Sequence, residues 1–211
     1  MPSLNDILAR EAPLLVIDAA SSRIQVGVLG AGGAGLWETS DEEAGIGIFR
    51  CVEALGADIG SIRAFAFCSG PGSILGIRTV AMALRVWEVE AERPIYAYSS
   101  LALVSQALGK PEAAIIADAR RDTWHVCQLG AALRRVPTSD LPGNLLMPEG
   151  FRQWSALPSS AFARTPYGVA ALLALPQVAG ADLFQPAAAP DAFLHDEPAY
   201  ATWTPQVHRA P

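Results

Sequence analysis

The spacing of apolar residues predicts three strands at the start of the chain. Residues 13–20 form a continuous apolar run containing an acid near its end, which is typical of a buried central strand. Residues 24–29 and 35–39 predict two further strands, joined by a glycine-rich turn. That turn has the spacing G-x-G-x-x-G, but a strand follows it where a dinucleotide site needs a helix. We therefore predict an antiparallel meander with a plain hairpin turn.

Strands and helices alternate after this meander. Ser40-x-x-Glu43 has the pattern of a capping box, which predicts a helix from Ser40 to about residue 56. The pattern then predicts strands at 64–68, 94–98, 113–118 and 123–129, with helices at 75–91 and 100–108. This order favours an α/β fold in which helices cover the faces of a mixed sheet.

The helix around residues 77–87 is apolar on nearly all sides. Its only charges in that stretch are Arg78 and Arg85. A helix that lies on a sheet needs one apolar stripe, so another part of the chain or a partner must cover the rest. We favour a helical protein–protein interface over a deeply buried core helix.

Proline and charge divide the chain at about residue 130. Residues 131–211 contain 11 of the 16 prolines but only 11 of the 36 charged residues. Prolines this frequent cut the second part into short elements.

Composition excludes several kinds of function. The chain has 211 residues, is 51% hydrophobic and has a net charge of −6, so it is folded and has no strongly basic surface for nucleic acid. Lys110 is the only lysine, and the residues around it do not match a P-loop. The sequence also contains no Gly-x-Ser-x-Gly elbow, which would hold a serine nucleophile. The three histidines lack metal-ligand spacing, so we expect no metal site.

The cysteines and the N-terminal sequence indicate in which cellular compartment the protein is expected. The three cysteines are far apart and form no C-x-x-C pair, as expected of thiols in a reducing compartment. The first ten residues lack a signal-peptide pattern, and no uncharged apolar stretch is long enough to span a bilayer. We expect a cytoplasmic protein with no membrane partner.

Two features could hold a nucleotide or another anion. Gly70, Pro71, Gly72 and Ser73 join a strand to a helix, and such a helix start can bind phosphate, although a tight turn with no ligand explains the same residues. Asp18 and Asp118 each end an apolar strand, where an acid can position a metal-bound phosphate or simply cap a turn.

Three segments together resemble the TsaB (YeaZ) family of glycoprotease-like proteins. They are the strand Leu-Val-Ile-Asp ending at Asp18, the loop Gly-Pro-Gly-Ser with the trailing Gly-Ile-Arg that ends at Arg78, and Ala-Asp-Ala-Arg ending at Arg120. The resemblance covers about residues 13–128, and Glu197-Pro-Ala-Tyr200 faintly resembles the family's terminal segment.

The resemblance implies an actin-like, sugar-kinase and Hsp70-type (ASKHA, RNase H-like) fold with a reduced second lobe. It divides the chain into an N-terminal extension at 1–12, a first lobe at 13–110 and a proline-rich second lobe at 111–211. It further implies a non-catalytic subunit for tRNA N6-threonylcarbamoyladenosine (t6A) synthesis. Such a subunit binds the TsaD-type paralogue through its first two helices and is joined by a TsaE-type ATPase. When the chain is alone, we expect the same apolar patch to form a homodimer, since an isologous contact covers it on both copies. On these helices we expect contacts from Phe49, Val52, Ile77, Ala81 and Leu84.

The chain departs from the family pattern at several positions. Ile74 and Leu75 follow the loop where the family has an aromatic residue and Thr, a family-typical His is missing from the first helix, and Ala201-Thr-Trp203 follows Tyr200 where the family has its final Arg. We therefore expect no cofactor bound by this chain alone, and leave weak binding of ATP or ADP with magnesium open. The alternative is an actin-like ATPase or phosphotransferase with a magnesium nucleotide in the interlobe cleft, using Asp18 and Asp118 around magnesium and the loop 70–73 on phosphate. A peptidase ranks last.

Overall fold

Two mixed sheets form the framework of the molecule. A computed structural model describes residues 1–157 and 161–193. The strands of the first sheet are β1 (Leu14–Asp18), β2 (Ile24–Leu29), β3 (Gly35–Ser40), β4 (Ala64–Gly70), β5 (Ile95–Ser99) and β11 (Gln185–Pro186). Those of the second are β6 (Ala114–Asp118), β7 (Thr123–Cys127), β8 (Arg134–Pro137), β9 (Leu145–Pro148) and β10 (Phe162–Thr165). Their order across the first sheet is β11-β5-β4-β1-β2-β3, and across the second it is β10-β9-β6-β7-β8. The predicted α/β fold and its antiparallel meander are confirmed.

The two sheets repeat one topology. In the first, β1, β2 and β3 form an antiparallel meander, and β4 and β5 add parallel to β1. In the second, β6, β7 and β8 form the meander, and β9 and β10 add parallel to β6. Asp18 and Asp118 therefore end equivalent strands, although no repeat is visible in the sequence.

The helices distinguish the two halves. They are α1 (Leu4–Glu11), α2 (Ala44–Ala54), α3 (Ile74–Glu90), α4 (Ser100–Leu108), α5 (Val169–Leu173) and α6 (Pro176–Ala179). In the first half α2 connects β3 to β4 and α3 connects β4 to β5, whereas only a 3₁₀ turn at Thr138–Asp140 lies between β8 and β9. The connection between β8 and β9 therefore has no counterpart of helix α2.

The segment after β10 returns to the first sheet. Helix α6 packs against α4 and α1, and β11 pairs with β5. Phe184, just before β11, is fully buried, and its ring meets Tyr98 at 5.6 Å. Although it follows the second sheet in sequence, the part of this segment from α6 to β11 packs on the first sheet.

The start of α2 differs from the prediction. The helix begins at Ala44, its N-cap is Glu43, and no side chain caps it. The capping box at Ser40 is wrong because Ser40 is the last residue of β3, where it pairs with Ile24, and its hydroxyl accepts the Glu42 N–H instead. Gly47 is buried within α2, and a Cβ there would lie 2.5 Å from Ile24, so this glycine lets the helix pack closely on β2.

The first residues form an unpredicted helix that packs on the core. Ser3 and Asp6 make a reciprocal capping box at the N-terminus of α1. Leu4, Ile7 and Leu8 are buried, at i, i+3 and i+4 on one face.

No helix in the described part of the chain combines the length and hydropathy needed to cross a membrane.

Candidate functional site

Three turns meet between the two sheets, at the ends of their central strands. They are the β1–β2 turn at residues 19–23, the loop 70–73 that leads into α3, and the loop 149–157 after β9. The Ser73 N–H donates to the Ala20 carbonyl at 2.8 Å, and the Ser22 N–H donates to the Gly150 carbonyl at 2.9 Å. Backbone hydrogen bonds therefore tie both other turns to the β1–β2 turn.

Close packing explains the glycines around loop 70–73. A Cβ on Gly72 or on Gly76 would lie 2.3 Å from the carbonyl oxygen of Ala20 or Ala19, respectively, much too close for any side chain. The Ser73 hydroxyl accepts the Gly76 N–H and caps α3, as predicted. The residues singled out as an anion loop thus pack directly on the β1–β2 turn.

The space enclosed by the three turns is small. The cavity between them has a volume of about 30 Å³. It is lined by residues from all three turns and from the end of β6, including Ala20, Ser22, Gly72, Ser73, Asp118, Gly150 and Trp154. A cavity of this size holds about one water molecule, whereas small-molecule sites are on the order of 300–1,000 Å³.

Asp18 lies behind this cavity and has no exposed surface. Its Oδ2 accepts hydrogen bonds from the hydroxyls of Tyr98, at 2.8 Å, and Tyr167, at 2.7 Å, and its Oδ1 accepts the Ala20 N–H at 3.0 Å. Burial raises the pKa of this carboxyl, against the opposing effect of its hydrogen bonds. The side chain predicted to position a phosphate is surrounded by protein donors.

Asp118 has a different role at the equivalent strand end. Its Oδ2 accepts the backbone N–H groups of Trp154 and Ser155, and its Oδ1 accepts the Arg120 N–H at 2.6 Å and the Ser155 hydroxyl at 3.1 Å. The Arg120 guanidinium lies over the Trp154 ring, 4.5 Å from its centre. Asp118 therefore fixes the loop after β9 against the β6–β7 turn.

A larger cleft of about 290 Å³ opens outside the turns. One wall is loop 70–73 and the first turn of α3, and the other includes Arg120, Arg152 and Trp154. Phe193, whose N–H donates to the Ser69 carbonyl at 2.6 Å, also lines it. Among residues 1–157 and 161–193, no three His, Cys, Asp or Glu side chains are grouped as metal ligands.

Arg78, the family-motif arginine on α3, does not line this cleft. Its Nε lies 3.6 Å from Asp191, and Arg85, two turns later, reaches both Asp191 and the Pro190 carbonyl. These two arginines hold residues 190–191 against α3.

The residues predicted to contact a partner divide by burial. Phe49 is 49% exposed on α2, but Val52, Ile77, Ala81 and Leu84 are 9% exposed or less. Val52, Ile77 and Leu84 belong to the buried apolar core and Ala81 is buried too, so Phe49 is the member of the predicted set that is exposed on the single chain. The apolar character of the buried members serves the core of this chain.

Another apolar stripe on α3 is exposed to solvent. Leu75, Met82, Val86 and Val89 are between 57% and 88% exposed and repeat at i, i+7, i+11 and i+14. On the adjacent α2, Ile46 and Phe49 are about half exposed, and the Phe49 ring meets Trp87 of α3 edge-on at 6.2 Å. We call these six side chains the α2–α3 apolar face. Their helical spacing is visible in the sequence, but the equally apolar buried side concealed it.

Comparison with known proteins finds relatives only among solved structures. No family model matches the chain, and no curated protein matches it. YeaZ from Pseudomonas aeruginosa superposes with a TM-score of 0.57 at 19% identity, covering 77% of this chain and 89% of that one. An uncharacterized protein with similarity to peptidase YeaZ, also from Pseudomonas aeruginosa, gives 0.53 at 18% identity, covering 72% and 83%. The chain therefore has the fold of YeaZ, the fold that its resemblance to the TsaB family implied.

Proposed function

We propose that this chain is a non-catalytic partner subunit in the synthesis of N6-threonylcarbamoyladenosine on tRNA. It binds a TsaD-type paralogue through the α2–α3 apolar face, and a TsaE-type ATPase joins the pair. Without that paralogue, the same face joins two copies of this chain as a homodimer. With a net charge of −6, the chain leaves tRNA binding to another subunit.

The α2–α3 apolar face is the observation that carries this proposal. Val89, Leu75 and Val86 are 88%, 78% and 63% exposed, although large apolar side chains grouped on one surface favour association. Its residues lie on two helices that pack on each other, so the two parts of the face are held in a fixed relation. Two helices contacting two helices of a related subunit would cover it on both sides.

The fold and the closed turns favour a partner over an enzyme. The likeness to YeaZ supports the same general role, at an identity that establishes only the fold. The 30 Å³ cavity is too small for a nucleotide, and Asp18 is directed at Tyr98 and Tyr167. The ATPase or phosphotransferase alternative would have to use the outer cleft of about 290 Å³, lined by loop 70–73, Asp118, Arg120 and Arg152, without the help of Asp18.

Co-purification with the TsaD-type paralogue from the same genome tests the proposal. Val86→Glu and Met82→Glu place a carboxylate on the exposed stripe without touching the core. We expect each to weaken the complex at least 30-fold, since desolvating a charge in an apolar interface costs about 2 kcal/mol or more. Binding is measured by calorimetry, and the state of the chain alone by light scattering.

Ala171→Glu is the matched control, because Ala171 is an exposed helical residue on α5, outside the α2–α3 apolar face. It should leave the affinity within 3-fold of the wild type. Folded Val86→Glu and Met82→Glu proteins that still bind like the wild type would overturn the proposal. A wild-type chain that does not bind the paralogue would overturn it as well.

A further inference from the structure

We propose that a buried set of hydrogen bonds, the interlobe latch, holds the two halves of this chain in one closed arrangement. The latch consists of Asp18 and Gln25 on the first sheet and Tyr167 to Val169 on the segment that returns from β10. Asp18, at the position predicted for a metal-phosphate acid, is thus a positioning residue for the halves of the molecule. This inference concerns the chain's own motion and does not depend on the proposed function.

The two latch residues on the first sheet, Asp18 and Gln25, lie side by side. Asp18 of β1 and Gln25 of β2 are directly opposite each other in the antiparallel pair, so their side chains lie on the same face. Asp18 is fully buried and Gln25 is 4% exposed. Two polar side chains this deeply buried need specific partners.

Those partners come from the returning segment. The Tyr167 hydroxyl donates to Asp18 Oδ2 at 2.7 Å. Gln25 donates from Nε2 to the Tyr167 carbonyl at 3.2 Å and accepts the Val169 N–H at Oε1, at 2.8 Å. Gln25 thus binds the backbone of residues 167–169 as a neighbouring strand would, and Asp18 holds the side chain of Tyr167.

The latch lies where the chain crosses between the halves. Strand β10 of the second sheet ends at Thr165, and α5, which packs on α4 beside the first sheet, begins at Val169. The Tyr167 ring also meets Phe151 of the loop after β9 edge-on at 5.0 Å. One residue from that ring contact, Gly150 accepts the hydrogen bond from Ser22. Moving the second sheet away from the first would therefore strain the latch.

Moving the two halves apart would leave several buried polar groups without their hydrogen-bond partners. Tyr167 is 8% exposed and Asp18 is inaccessible to water. Breaking the Asp18–Tyr167 and Gln25–Val169 contacts removes one of the three donors to Asp18 and leaves the Tyr167 hydroxyl, the Gln25 amide and the Val169 N–H without these partners unless water enters. Because all these groups must lose their partners together, we expect the closed form to persist until the whole domain unfolds.

Two tyrosine variants separate the latch from ordinary core stability. Tyr167→Phe removes the hydroxyl that reaches Asp18 from the returning segment, and Tyr98→Phe removes the hydroxyl that reaches the same oxygen from β5 of the first sheet. Both lose one buried hydrogen bond to the same carboxylate, but only Tyr167→Phe weakens a contact between the halves. The pair is therefore a matched test.

Hydrogen exchange and distance measurements give the readouts. In Tyr167→Phe we expect amides in residues 149–155 and 167–169 to exchange at least 10-fold faster, whereas Tyr98→Phe changes them less than 3-fold. Spin labels at Glu53→Cys and Arg134→Cys, exposed sites on α2 and β8, should show a broader distance distribution only with Tyr167→Phe. The native Cys51, Cys68 and Cys127 are buried and do not compete for label. Equal effects of the two variants on exchange and distance would overturn the proposal.

The wild-type protein provides a measurement that needs no variant. The Val169 amide, which donates to Gln25, should exchange only through global unfolding, so its exchange should depend on denaturant as steeply as the core of β1 does. Exchange of Val169 through a smaller opening, with β1 still protected, would overturn the proposal.

Discussion

Asp18 and Asp118 end equivalent strands of the two sheets, yet the first carboxyl group is buried in protein and the second borders open space. Asp18 is fully buried against Tyr98 and Tyr167, whereas Asp118 borders both the 30 Å³ cavity and the outer cleft and binds the backbone of Trp154 and Ser155. The difference arises from what covers each strand end. The segment returning from β10 covers the first, and a loop covers the second. Asp18 should therefore respond to substitution as a buried structural group.

Replacing Asp18 should affect stability according to how many donors lose their acceptor. Asp18→Ala leaves two tyrosine hydroxyls and the Ala20 N–H without it, so we expect a loss of about 3–5 kcal/mol in the free energy of unfolding. Asp18→Asn keeps an oxygen for Ala20 and offers an amide to the tyrosine oxygens, so its loss should stay below about 2 kcal/mol. Urea unfolding monitored by circular dichroism measures both. A milder effect of Ala than of Asn would contradict the geometry.

The pH dependence of stability should carry the signature of Asp18. Burial raises its pKa in the folded protein above the usual 3.8, so the folded state favours the protonated form. The stability this contributes is complete below about pH 3.8 and is lost as pH rises through the folded-state pKa. Cys68, Tyr98 and Tyr167 contact the carboxyl, and burial raises their pKa values too, so they keep their protons in this window.

The comparison that isolates this effect is wild type against Asp18→Asn. From about pH 4 upward, the free energy of unfolding of the wild type should fall relative to that of Asp18→Asn, until the carboxyl is fully ionised. Asp6, whose pKa is lowered by its hydrogen bonds to Ser3, acts in the opposite direction but is present in both proteins. A difference that stays constant between pH 4 and pH 8 would mean that Asp18 titrates normally.

Glycine substitutions should separate close packing from helix propensity. Gly76→Ala places a methyl group 2.3 Å from the Ala19 carbonyl oxygen if the backbone stays where it is, so α3 must shift and we expect a loss of about 2–4 kcal/mol. Gly45→Ala is the control: it lies in α2 with nothing within 4 Å of its Cβ position, and it should stabilise by roughly 0.5–1 kcal/mol. Thermal unfolding of both proteins checks the contrast, which fails if Gly76→Ala is neutral.

Magnesium-ATP should not bind to this chain through Asp18. The cavity of about 30 Å³ in front of it has no room for a nucleoside triphosphate, and Asp18 already accepts three hydrogen bonds. At about 1 mM nucleotide, we expect wild type and folded Asp18→Asn to give the same calorimetric heat and the same shift of the unfolding temperature. Saturable binding that disappears in Asp18→Ala, with the variant still folded, would instead support the phosphotransferase alternative.

Local pattern was sufficient for most elements of the first half. Residues 24–29 and 100–108 have the bounds that their apolar spacing predicted, since a meander strand and a capped helix depend on neighbouring residues. The Ser40 capping box failed because Ser40 is engaged by its partner strand. Helix α1 was missed in a segment treated only as an extension, although Ser3, Asp6 and the apolar positions 4, 7 and 8 carry its signal.

The candidate site could be predicted only in outline. The sequence by itself determined that Asp18 and Asp118 end strands and that loop 70–73 begins a helix, because each depends on residues close in sequence. Only the tertiary structure decided that Tyr167, 149 positions away, donates a hydrogen bond to Asp18. It alone also decided that Val86 and Met82 lie on the exposed side of α3. Those outcomes depend on which distant segments pack together, because burial and hydrogen-bond partners are properties of the assembled fold.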